Sequence, residues 1–229
     1  MVLRARGKAR PRDYNTRMAS AAVAIVDYEA GNLTSVACAL RHLGSDPIIT
    51  RKPSEILDAE RVVFPGVGAA GASMESLRKL ELDAALKKFY ESGRPLLGIC
   101  IGCQVIFERS EEDGGTECLG IIRGSTRRFE FPGAVKRKIP HMGWNEVGFE
   151  GEHPVFSGIP RGSQFYFVHS YYPVPSDPLV VKGTAMYGGV RFAAAVAWGN
   201  LAAVQFHTEK SGPCGLRVLR NFLSWKPKR

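Results

Sequence analysis

The chain has 229 residues, with 45% hydrophobic and 23% charged positions, a balance that suits one folded domain with a sizeable core. Its formal net charge of +9 sits largely at the ends: Arg4, Arg6, Lys8, Arg10, Arg12 and Arg17 face only Asp13, and Lys226, Lys228 and Arg229 close the chain. Such basic tails, without a groove of interleaved aromatics, argue against nucleic acid as a partner, and no apolar run is long enough to span a membrane.

Residues 1–20 are expected to form a disordered basic extension, with Met18 a candidate natural start, followed by one domain over residues 21–229. The basic stretch before MASAAVAIV superficially resembles a secretory signal. Asp27 and Glu29 cut its apolar run short and no cleavage site follows. Five cysteines at irregular spacing fit a reduced, cytoplasmic protein.

The elements then alternate. A strand is expected over residues 23–27, and a helix from an Asn32 cap to about residue 43, closed by Gly44. Strands follow at 47–50 and 61–64, helical patterning at 74–80 and 83–90, and a stop at Gly93. Residues 95–99 read as a buried strand and about 102–109 as a helix. The second half reads as strands at 123–130, 165–169, 180–185, 192–198 and 202–206, with a last helix over about 215–223. Repeated β-α units predict an α/β fold: a mostly parallel central sheet flanked by helices, with an antiparallel extension.

The most informative segment is Gly98-Ile-Cys100-Ile-Gly102, between a predicted strand and a predicted helix. It is the cysteine form of a nucleophile elbow. The turn is too sharp for side chains on either flank. It lifts the cysteine to the carboxyl end of the sheet, where a helix N-terminus favours thiolate. The Ile101 amide is placed to donate to an oxyanion. The pattern alone is also compatible with a buried structural cysteine. Cys100-x-x-Cys103 invites a redox reading, although the proline usual before the second cysteine of such sites is missing. No second Cys/His pair has metal-ligand spacing, so neither metal nor cofactor is expected.

A thiolate needs a base. Of the five histidines, His42 falls in the first helix and His153 before a proline in a polar loop, and both are expected at the surface. His207 ends a predicted strand, and Glu209 lies two residues on, where extended chain points both side chains the same way.

Together these residues resemble the class I (triad) glutamine amidotransferases, whose flavodoxin-like fold carries a G-x-C-x-G elbow and a late H-x-E. A finer resemblance is to the glutaminase subunits of imidazole glycerol phosphate synthase. It rests on Asp27-Tyr-Glu-Ala-Gly-Asn-Leu-Thr-Ser-Val36, Phe64-Pro-Gly-Val-Gly-Ala69, the elbow with Gln104, Phe107 and Glu108, Pro140-His-Met-Gly-Trp-Asn145, Phe167-Val-His-Ser-Tyr-Tyr172 and Phe206-His-Thr-Glu-Lys-Ser211. The chain departs from that pattern at Glu29-Ala30, at Cys103 for the usual methionine, and at Thr208 for the usual proline.

The resemblance implies that Cys100 attacks the side-chain amide of glutamine, with His207 as base and Glu209 orienting it. It implies oxyanion donors among Gly66, Val67, Gly68 and Ile101, and a glutamine pocket of Gln104, Glu112, His169, Ser170 and Tyr171. Tyr171 and Tyr172 also admit plain strand packing. It implies a (β/α)₈ cyclase subunit as heterodimer partner, met by Asn32, Trp144, Asn145 and Lys210. That subunit would use the ammonia to make imidazole glycerol phosphate in histidine biosynthesis. A glutaminase subunit for a different synthase, or a non-catalytic subunit of the same fold, are the competing readings.

Overall fold

The computed structural model describes residues 23–29, 31–133 and 137–228. The expected basic extension and residue 30 lie outside them. The first half runs β1 (Val23–Val26), α1 (Leu33–His42), β2 (Ile48–Thr50), α2 (Pro53–Asp58), β3 (Arg61–Gly66), α3 (Ala70–Lys79), α4 (Leu82–Glu91), β4 (Leu96–Cys100) and α5 (Ile101–Gln104). The second runs β5 (Arg109–Ser110), β6 (Thr116–Glu117), β7 (Gly124–Arg128), β8 (His141–Glu146), β9 (Gly148–Phe149), β10 (Gln164–His169), β11 (Tyr171–Pro175), β12 (Val181–Tyr187), β13 (Val190–Trp198), β14 (Leu201–Val204) and α6 (Gly212–Ser224).

The main sheet has the order β2-β1-β3-β4-β14-β13-β12-β9. Its first five strands are parallel and the rest antiparallel, as the alternation of the first half and the strand-rich second half predict. The inner parallel strands β1, β4 and β14 carry no polar side chain except the terminal Cys100, because both of their faces are covered. Val23 and Ile25 pack with α1 and α6, while Ala24 and Val26 pack with α2, α3 and α4. Two small sheets, β10-β8 and β11-β7-β5-β6, lie beyond the main one.

Several expectations are corrected. The helix after Cys100 is one turn, ending at Gln104 and not near residue 109. The next carbonyls are taken by distant amides: Ile106 accepts from Ile121 and Ile122, and Phe107 from Gly120. Arg109 and Ser110 join a strand pair instead. Helix α2 was not anticipated, although Pro53 at its first turn and Glu55 behind it are start signals. The Pro140–Asn145 segment, for which no element is expected, enters strand β8. Its glycine and alternating polar residues hide the strand pattern. His153 is not a surface residue. It is half-buried between Phe156 and Trp225 (ring centroids 5.4 and 5.0 Å), and burial lowers its pKa to about 4.

Candidate active site

Three neighbouring parallel strands end together. β3 runs into the Gly66-Val67-Gly68 turn, β4 ends at Cys100, and β14 leads through Gln205 to His207. This is the carboxyl edge, where open α/β sheets hold ligands. Cys100 sits at φ 55°, ψ −106°, a conformation that side chains resist. Gly102 has no room for a side chain: an added Cβ would lie 1.9 Å from the Phe64 carbonyl oxygen. A Cβ on Gly98 would lie 2.7 Å from the Gly102 oxygen. Both elbow glycines are therefore required by contact.

His207 and Glu209 are brought together as expected: His207 Nδ1 lies 2.8 Å from Glu209 Oε1, and both side chains are almost wholly buried. Burial opposes charge on His207, but Cys100 and Glu209 outweigh it and raise the imidazole to about 10. Cys100 Sγ has two further polar contacts, to the Val168 carbonyl (3.8 Å) and to Gln205 Nε2 (3.9 Å). Cys103 is fully buried, and burial and nearby Cys100 raise its thiol well above the usual range. It packs; it is not poised to react.

A cavity of 270 Å³ opens over the sulfur. Val67, Gly68 and Ile101 line it, as do Gln104, Glu112, His169, Ser170 and Tyr171. Gly66 does not line it. Gly66 is buried beneath the turn, and its missing side chain makes way for Tyr28 and Ile101. Glu112 Oε2 accepts from the Ala70 amide (2.7 Å) at the start of α3, tying the acid to the glycine turn. Burial raises the Glu112 carboxyl, and that amide partly offsets it. A larger cleft of 1030 Å³ lies around His153 and Trp225, but no cysteine lines it.

Of the expected partner-facing residues, Trp144 is 54% exposed, with Met142 beside it at 63%. Tyr166 pairs with Trp144 across β8 and β10, and Lys210 Nζ lies 5.9 Å from the Tyr166 ring centre while also lining the cavity. Asn145 turns the other way, donating to the Met186 carbonyl and approaching His141. Asn32 precedes α1, and its Oδ1 accepts from the Ser35 hydroxyl instead of capping the backbone.

Sequence reasoning missed His141, Val168 and Gln205. His141 Nδ1 lies 2.9 Å from His169 Nε2, and His169 Nδ1 lies 2.8 Å from the Tyr171 carbonyl oxygen. Burial lowers the His141 imidazole to about 4 and the His169 imidazole to about 3. The unfolded rings take up protons below about pH 6.5, before the folded ones do. Stability is therefore expected to fall as pH drops from about 6.5 towards about 4. Thermal melts should show this acid loss shrinking in His169→Gln, which cannot protonate.

Among the described residues, no group of three or more His, Cys, Asp or Glu side chains is arranged to hold a metal ion, and no helix is long and apolar enough to cross a membrane.

A doubly covered parallel sheet with a cysteine elbow beside a His-x-Glu pair defines a triad amidotransferase. The profile of the family described as glutamine amidotransferase class-I matches residues 24–225, and the chain belongs to that family. Within it, the chain is 50% identical over 212 residues to the imidazole glycerol phosphate synthase subunit HisH of Methylococcus capsulatus, covering 90% of this chain and 97% of that one. It is 46% identical over 207 residues to subunit HisH 1 of Pseudomonas aeruginosa, covering 89% and 96%. Among solved structures, PurLQS from Thermotoga maritima shares the fold with a TM-score of 0.67 at 18% identity, over 88% of this chain and 96% of that one.

Proposed function

We propose that this chain is the glutaminase subunit of a cytoplasmic imidazole glycerol phosphate synthase and supplies ammonia for histidine biosynthesis. The observation that carries the catalytic part is the placement of His207 between Cys100 and Glu209, with Nδ1 2.8 Å from Glu209 Oε1 and the ring in the cavity lining beside Cys100. His207 can take the Cys100 proton, which makes the thiolate nucleophile and leaves a proton for the departing group. The thiolate attacks the side-chain amide carbon of glutamine, and the carbonyl oxygen takes the negative charge. Val67, Gly68 and Ile101 surround the position where backbone amides would receive it. His207 gives its proton to the leaving ammonia, and Glu209 keeps the ring in line. Water, deprotonated by the now neutral His207, hydrolyses the thioester to glutamate.

The pocket chemistry suits the substrate. Glu112 offers a carboxylate to the glutamine ammonium, and the chain around Ser170 offers backbone amides to its carboxylate. Gln104 and Tyr171 close the side walls.

The identity to HisH subunits over nearly their whole length supports the partner assignment. That partner is a (β/α)₈ cyclase subunit, joined as a heterodimer. Exposed Met142 and Trp144, with Lys210 at the cavity rim, present the apolar and cationic surface that such a contact needs. Glutamine hydrolysis should rise at least about tenfold when the cyclase subunit and its nucleotide substrate are added together. No rise would point to a different synthase. No hydrolysis under any condition would leave a non-catalytic subunit.

A further inference from the structure

Tyr171 contributes a backbone carbonyl that can only accept hydrogen bonds, and two side chains converge on it. Gln104 Nε2 lies 3.0 Å from this oxygen and His169 Nδ1 lies 2.8 Å from it. Both must therefore donate, which fixes the orientation of each. The second N–H of Gln104 then meets Gln205 Oε1 at 3.1 Å. Gln205 has its oxygen committed, so its nitrogen is the atom turned to Cys100 Sγ, at 3.9 Å. On the other branch, His169 Nε2 carries no proton and accepts from His141 Nδ1, whose own Nε2 faces Asn145 Nδ2 at 3.4 Å. One carbonyl sets the direction of every bond from Asn145 to the sulfur.

We infer that Gln205 is a further catalytic residue, an N–H donor locked onto Cys100 Sγ that steadies the sulfur's negative charge. This rests on the reading of Cys100 as nucleophile. Gln205 is fully buried, and its backbone amide is fixed by the Ala194 carbonyl (2.9 Å), so the side chain has no competing solvent. Gln205 and His207 are two residues apart and both reach Cys100, His207 as the mobile proton carrier and Gln205 as a fixed dipole. The contact is long in the resting thiol. It should tighten as charge builds on sulfur, because bonds to charged groups are shorter and stronger.

The other titratable groups around the sulfur are Tyr28, after β1, and Cys103, on α5; burial keeps both protonated. Tyr28 lies against Gly66, and Cys103 is fully buried in the core cluster that holds Ile101, Ile106 and Phe107.

The test is alkylation of Cys100 by iodoacetamide at neutral pH, followed by peptide mass spectrometry, together with thiolate ultraviolet absorbance measured against Cys100→Ala. In Gln205→Met the alkylation rate and the thiolate signal should fall, the rate by about tenfold. With the cyclase subunit present, kcat should fall by a similar factor while KM for glutamine holds. A residue that merely packs would alter stability and leave these readouts alone. A folded Gln205→Met that alkylates at the unaltered rate would overturn the inference. Should Gln205→Met not fold, Gln104→Met decides the matter. It leaves Gln205 in place but free to turn, so slower alkylation supports the lock and an unchanged rate refutes it. If the unaltered protein with its cyclase hydrolyses no glutamine, yet alkylation still slows in these variants, the functional reading fails and the role of Gln205 stands.

Discussion

Cys100→Ala is expected to lower glutamine hydrolysis by about 10³-fold or more while leaving the folded protein able to bind its partner. The sulfur is the one group in the cavity that can form the thioester, and neither His207 nor Glu209 can substitute for it. The same position makes a second, opposite prediction for stability. Cys100 is held at φ 55°, ψ −106°, a strained backbone of the kind that costs about 1–3 kcal/mol. Alanine keeps that strain and glycine relieves it. Cys100→Gly should therefore be more stable than Cys100→Ala by about 1 kcal/mol in urea unfolding, although both are inactive. Equal stabilities would mean that the elbow stores no strain.

Gly102→Ala should have the largest effect on stability. The added Cβ would lie 1.9 Å from the Phe64 carbonyl oxygen and 3.0 Å from its carbon. These are backbone atoms of β3, and Phe64 is in register with Gly98 of β4. Neither strand can move without disturbing the core on both faces. A loss of about 3 kcal/mol or more is expected, which for a chain of this size lowers Tm by about 6–12 °C. Gly148→Ala is the matched control. Its Cβ would meet nothing nearer than the Thr184 oxygen at 3.9 Å, so a change within about 0.5 kcal/mol is expected. Similar losses at both positions would show that glycine content alone, and not the tight elbow, sets the cost.

The parts of the site that depend on local sequence were legible. The continuous apolar strand β4 and the glycines two residues to either side of Cys100 mark the elbow. The His207–Glu209 pair follows from a two-residue spacing in extended chain. The same spacing from Gln205 to His207 was available and went unread. Its meaning depends on Gln104, which lies 101 residues away, and on a carbonyl of β11. Long-range contacts also explain the misjudged helix after Cys100. The pattern beyond Gln104 permits helix, but the amides of residues 120–122 claim the carbonyls first. Strand β8 was hidden because its outward positions carry Met142 and Trp144. There apolar residues face out and His141 faces in, the reverse of the usual alternation.

The central claim is that Cys100 Sγ forms the covalent bond to substrate. The most direct test is reaction of the protein with a glutamine-mimicking electrophile, followed by mass spectrometry of the labelled peptide. The account predicts a single adduct on Cys100, blocked by excess glutamine and accompanied by complete loss of ammonia release. An adduct on Cys103, or labelling of Cys100 that leaves ammonia release intact, would contradict it.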